Sequence, residues 1–158
     1  MKSFTLIELL ITTTIIFVFS TLSLAYYNNF NQYQILKKEA RQLVNTLELA
    51  KKKAGAGDLS NQVCEDGFNG YQVNITTTGY SLWLVCGGTP GQSAIFSYNF
   101  PSNNISVSSG AGQYNFRELN INSSYGTIRI KNSAIAKCLD VTISFAGIIT
   151  LSDNFISC

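Results

Sequence analysis

Residues 4–27 read FTLIELLITTTIIFVFSTLSLAYY, and this stretch contains neither glycine nor proline. Sixteen of its 24 residues are apolar or aromatic, and no charged residue occurs between Leu9 and Leu36. About 20 such residues in a helix suffice to cross a bilayer. Most of the remainder is Thr and Ser, whose hydroxyls can bond back to helix carbonyls and so tolerate lipid. We therefore predict a transmembrane helix over residues 4–27, with Tyr26 and Tyr27 at the membrane interface.

The helical pattern continues beyond this span but becomes amphipathic. Apolar residues recur at steps of three and four, namely Phe30, Tyr33, Leu36, Ala40, Leu43, Leu47, Ala50 and Ala54. The run Lys51–Lys53 suits the negative end of a helix, and the glycines that follow it are expected to end the helix. Residues 28–53 are thus predicted to form an amphipathic helix whose apolar stripe packs on the β-rich part of the chain and belongs to the same domain.

The rest of the chain has a different composition, because all 12 glycines, both prolines and all four cysteines follow Lys53. Alternating segments predict one hairpin from Tyr71–Thr77 and Tyr80–Cys86, and another from Leu139–Phe145 and Ile148–Leu151. Trp83 is expected in the core. Weaker strand signals are 93–100, 104–107 and 127–131, with a loop at 108–112. The prediction is an α+β fold, in which a long N-terminal helix packs on a C-terminal antiparallel sheet formed by residues 54–158.

Four cysteines in a domain outside the membrane indicate disulfides, with free buried thiols as the alternative. Of the three possible pairings we expect Cys64–Cys86 and Cys138–Cys158, because each joins neighbours in sequence across about one hairpin. No metal site is expected, since no two cysteines are close in sequence and the chain has no histidine.

The composition also argues against an enzyme, because the absence of histidine removes the commonest general base and every triad that depends on it. No cofactor is expected. The net charge is +2, and residues 54–158 carry four cations against six carboxylates. Nucleic acid is therefore an unexpected partner, although Arg129, Lys131 and Lys137 could form a local basic patch. Four carboxylates are expected to be solvated in loops and not to bind calcium: Glu65, Asp66, Asp140 and Asp153.

Glu8 is the exception within the apolar stretch. A carboxylate at the centre of a bilayer costs about 2.5–3.5 kcal/mol, so a partner is expected for it there. The alternative is that Glu8, only eight residues into the chain, lies near the membrane surface. The segment Phe4-Thr5-Leu6-Ile7-Glu8-Leu9-Leu10-Ile11 resembles the processing motif of type IV pilins and of the pseudopilins of type II secretion. The resemblance extends to the long helix with a β-rich domain behind it, which is the pilin fold.

This resemblance implies that residues 1–3 are a leader peptide, which a prepilin peptidase removes between Ser3 and Phe4. The same enzyme would then methylate the new amine of Phe4. Family members usually have glycine where this chain has Ser3. The resemblance also implies an assembly role for Phe4 and Glu8, because an ammonium and a carboxylate attract strongly where the dielectric is low.

The implied partners are that peptidase and methyltransferase, other pilin or pseudopilin subunits, an assembly platform in the inner membrane, and lipid. The implied location is a single pass through the cytoplasmic membrane with the C-terminal domain outside the cytoplasm, followed by a pilus or a periplasmic pseudopilus. Residues 70–88 and 141–151 faintly resemble the GspH/FimT group of minor subunits. A pilus subunit, a secretion pseudopilin and a competence subunit that aids DNA uptake therefore all stay open.

Overall fold

The computed structural model of the protein describes residues 5–59, 63–91, 93–117 and 124–158, with the side chains of residues 22–25 excepted. In these residues a single long helix precedes ten strands, and every paired strand is antiparallel to its neighbour. This order confirms the α+β class predicted from the sequence.

Helix α1 spans Leu6–Ala56 and contains 51 residues, which gives a length of about 76 Å. Thr5 caps its start, because the Thr5 hydroxyl accepts a hydrogen bond from the backbone N–H of Glu8 at 3.3 Å. Gly57 caps its end in the left-handed region with φ 62°, and its N–H bonds the carbonyl of Ala54. The helix thus ends three residues later than predicted, since α1 tolerates Gly55 and only Gly57 adopts the conformation that stops it.

The strands form two five-stranded sheets within the described part of the chain. The first sheet has the order β3-β2-β1-β6, with β4 also paired to β2, and the second has the order β10-β8-β7-β5, with β9 paired to β8. Their bounds are β1 Phe68–Ile75, β2 Gly79–Cys86, β3 Thr89–Pro90, β4 Phe96–Asn99, β5 Ile105–Ser109, β6 Gly112–Phe116, β7 Gly126–Asn132, β8 Lys137–Ile143, β9 Ile149–Leu151 and β10 Ile156–Ser157. The division into two sheets was not predicted.

Both predicted hairpins are confirmed. Strands β1 and β2 pair from Phe68 with Cys86 to Ile75 with Tyr80. Strands β8 and β9 pair across a turn in which the N–H of Gly147 bonds the carbonyl of Ser144 at 2.8 Å.

The loop expected at 108–112 is much shorter in the structure. Strand β5 extends to Ser109 and β6 begins at Gly112, so the chain passes from the second sheet to the first within two residues. Gly110 has φ +78°, and a Cβ built on it would lie 2.3 Å from the carbonyl oxygen of Thr127. Only glycine fits at position 110, where the chain crosses between the sheets. In the sequence this segment looks like a loop, because it is rich in Ser and Gly.

The apolar stripe of α1 forms the centre of the core. Six of its residues are fully buried: Leu36, Ala40, Leu43, Leu47, Ala50 and Ala54. They pack against β1 of the first sheet and against β7, β8 and β9 of the second. Phe30 was predicted in this stripe but is 51% exposed, so the stripe begins at Tyr33, whose ring meets that of Phe155 at 4.9 Å.

Trp83 does not lie in the core, contrary to the prediction. Its neighbours Leu82 and Leu84 point inward and are 1% exposed, so alternation along β2 places Trp83 on the outer face of the first sheet. There the indole N–H donates to the hydroxyl of Ser81 at 2.8 Å.

Candidate functional site

The first half of α1 stands outside the folded domain. Every large apolar side chain with described burial from Leu6 to Phe19 is at least half exposed, and Leu6 reaches 82%. An 18-residue window of this helix has a mean hydropathy of 2.0 and is 0% buried. Within the described part of the chain, this helix alone is long and apolar enough to cross a membrane. Such a surface is unstable in water, so it requires lipid or other apolar helices around it.

The hydroxyls of this segment are turned back onto the helix. Thr12, Thr13 and Thr14 donate to the carbonyls of Leu9 and Leu10 at 2.7–3.0 Å. Two further hydroxyls do the same, those of Ser20 and Thr21. Because these donors are satisfied within the helix, the segment presents an apolar exterior despite its polar residues.

Glu8 lies in the first turn of α1 and is exposed. A carboxylate in this position interacts favourably with the positive end of the helix dipole. Its side chain has no hydrogen-bond or ion-pair partner within the described residues. Ser3 and Phe4, the predicted cleavage and methylation residues, lie outside the described residues, so their roles remain predictions.

The four cysteines form two disulfides in the structure, Cys64–Cys86 and Cys138–Cys158, and none of them is free. This is the pairing expected from the sequence. The first bridge ties the segment before β1 to the end of β2, and the second ties the C-terminal residue to β8. Bridges of this kind persist in oxidising compartments.

A buried carboxylate joins α1 to strand β4, and the sequence reasoning missed it. Glu39 is 1% exposed although it lies beside the apolar stripe. Its Oε2 accepts a hydrogen bond from the hydroxyl of Tyr98 at 2.8 Å, while its Oε1 is buried with no hydrogen-bond partner among the described residues. Burial, together with this bond, raises the pKa of Tyr98 to about 12. The sequence did offer one signal for this contact, because Glu39 is a charged residue directly before Ala40 of the apolar stripe.

The predicted basic patch of Arg129, Lys131 and Lys137 does not form on one face of the second sheet. Arg129 forms two hydrogen bonds with the carboxylate of Asp140, at 2.7 and 2.8 Å, and this contact lowers the pKa of Asp140. Asp140 is therefore a paired strand residue and not the solvated loop carboxylate that was expected. Lys131 shares the outer face of the second sheet with Arg129, whereas alternation along β8 places Lys137 on the opposite face.

The described residues contain no group of three or more His, Cys, Asp or Glu side chains able to hold a metal ion. Comparison with protein-family models, with curated proteins and with solved structures finds no match to this chain.

Proposed function

We propose that the chain is a structural subunit of a type IV pilus-like filament, assembled through the first half of α1. The observation that carries this proposal is the exposed apolar helix, which is continuous with the buried spine of the domain. Such a helix can be stored in a bilayer and can also pack against copies of itself. A subunit that exchanges lipid for neighbouring helices requires both properties.

Glu8 has the assembly role in this proposal. After cleavage before Phe4, the new ammonium of one subunit pairs with the Glu8 carboxylate of a neighbour, because each charge is costly when alone in an apolar environment. Methylation of the Phe4 amine keeps its positive charge and preserves the pair. The exposed and unpartnered side chain of Glu8 supports this role.

The two disulfides support a location of the domain outside the cytoplasm, in the periplasm or on the surface. The proposed partners are a prepilin peptidase that also methylates, other subunits, an assembly platform in the inner membrane, and lipid. The same features fit a secretion pseudopilus. The predicted patch of Arg129, Lys131 and Lys137 gives a role in DNA uptake no support, because Arg129 is already paired with Asp140.

The proposal is tested in a cell that supplies a prepilin peptidase and a pilus assembly platform. We expect the mature chain to begin at Phe4 by intact mass, and to be recovered in filaments sheared from the cell surface. Glu8→Ala should still enter the membrane but should leave the filament fraction, whereas Glu48→Ala, a carboxylate change in the same helix, should not.

Incorporation of Glu8→Ala at the level of Glu48→Ala would contradict the assembly role. A mature chain that begins at another residue would contradict the processing step. Recovery of the chain only in short periplasmic filaments would favour a secretion pseudopilin over a pilus subunit.

A further inference from the structure

A polar pocket of about 300 Å³ lies on the face of the first sheet that is turned away from α1. Strand alternation places Gln72 of β1 and Gln113 and Asn115 of β6 on this outer face, because their neighbours Tyr71, Val73, Tyr114 and Phe116 belong to the core. Asn69 lies just before these positions on β1 and also lines the pocket. Four carboxamide side chains from two adjacent strands thus converge on one cavity.

Three of these carboxamides, those of Gln72, Gln113 and Asn115, are linked by hydrogen bonds. Gln72 is 7% exposed, and its Nε2 donates to Asn115 Oδ1 at 2.9 Å and to Gln113 Oε1 at 3.3 Å. Both donors of Gln72 are therefore used. Its Oε1 and the side-chain NH2 groups of Gln113 and Asn115 make no hydrogen bond within the described part of the chain. The pocket consequently offers one acceptor and several donors to a ligand.

The opposite wall of the pocket is apolar. Val85 of β2 is 7% exposed and pairs across the sheet with Pro90 of β3, and both line the cavity. Among the described residues no carboxylate lines the pocket, and the one charged residue that does is Arg117. An apolar ligand would leave the amide groups that it covers without hydrogen-bond partners, which opposes its binding. The pocket thus suits a ligand with a polar edge and an apolar face.

We propose that this pocket binds one pyranose ring, either as a free sugar or as the end of a glycan. The equatorial hydroxyls of a pyranose can accept from the amide NH2 groups and donate to Gln72 Oε1, while its C–H face packs on Val85 and Pro90. The volume lies at the small end of ligand pockets, which fits one ring and not an extended chain. The site faces away from α1, so contacts made by the helix alone leave it uncovered.

The test is saturation-transfer NMR on the full chain in zwitterionic micelles that carry no sugar headgroup. The probes are glucose, galactose, mannose and N-acetylglucosamine at millimolar concentration. We expect saturation transfer to at least one of them. Gln113→Ala and Asn69→Ala should each raise the dissociation constant about 3- to 10-fold, the effect of losing one hydrogen bond.

Asn103→Ala is the matched control, because Asn103 is an exposed carboxamide outside the pocket. Fluorescence of Trp83, the single tryptophan, verifies that each variant is folded. The proposal is overturned if no probe receives saturation, or if both pocket variants bind as tightly as Asn103→Ala.

Discussion

The two halves of α1 have the same backbone structure and opposite surroundings. In the first half the large apolar side chains from Leu6 to Phe19 are exposed, whereas in the second half the stripe from Leu36 to Ala54 is completely buried. The difference shows that helix formation and burial are separate properties of this chain. The second half gains its stability from the sheets, and the first half needs an apolar environment around it.

The largest effects are expected from placing one charge in each half. Phe17→Asp should reduce membrane insertion, since a carboxylate in the bilayer costs about 2.5–3.5 kcal/mol, but should leave the domain folded. Leu43→Asp should unfold the domain, because it buries an unpaired charge, but should leave insertion intact. Membrane flotation measures insertion and Trp83 fluorescence measures folding of the domain. If either variant lost both properties, the two halves would not be independent.

Truncation of a buried residue should have the next largest effect. Leu47→Ala should lower the free energy of unfolding of the domain by about 2–5 kcal/mol, because it leaves a cavity under the sheets. Leu10→Ala removes the same atoms from the exposed half and should leave that free energy unchanged. Urea unfolding of the full chain in micelles, followed by Trp83 fluorescence, gives both values. An equal loss of unfolding free energy in the two variants would contradict the division of α1 into an exposed and a buried half.

The hydrogen bond between α1 and β4 should contribute less. Tyr98→Phe leaves the buried Glu39 carboxylate without its donor and should cost about 1–3 kcal/mol of unfolding free energy. Tyr125→Phe is the control, because Tyr125 is 66% exposed. The double variant Glu39→Leu/Tyr98→Phe should recover much of the loss, since it removes the buried carboxylate that would otherwise lack a donor. A double variant that is less stable than Tyr98→Phe would show that packing, and not the bond, supports this contact.

The smallest effect is a dependence of stability on alkaline pH. The folded domain raises the pKa of Tyr98 to about 12, so it holds this proton more tightly than the unfolded chain does. The stabilisation is complete below the ordinary tyrosine pKa of about 10 and is lost as the pH rises from there towards 12. Urea midpoints measured across this range should fall with pH, and the fall should be smaller in Tyr98→Phe. An identical fall in both proteins would exclude Tyr98 as its source.

The sequence predicted the features that depend on local pattern. The absence of glycine and proline before residue 54 predicted the helix, and the alternation around Thr78-Gly79 predicted the hairpin of β1 and β2. The division into two sheets depends on pairings between distant segments, such as β1 with β6 and β5 with β7. No local pattern encodes such pairings, so the role of Gly110 at the crossing could not be predicted.

The two candidate sites differ in the same way, because one could be recognised from the sequence and the other could not. Glu8 stands out in the sequence, because a carboxylate in an apolar run needs an explanation. The amide pocket does not, since Gln72 and Asn115 become neighbours only through the register of β1 and β6. In a segment rich in Asn and Gln these residues look like ordinary surface side chains.

The most direct test of the two environments of α1 is the labelling of single introduced cysteines by a water-soluble maleimide in sealed membrane vesicles with the domain outward. Phe17→Cys should stay unlabelled until detergent dissolves the bilayer, because residue 17 lies within the apolar half. Lys38→Cys should be labelled at once, because residue 38 is exposed on the helix beyond the membrane. Labelling of Phe17→Cys in intact vesicles at the rate of Lys38→Cys would contradict the account.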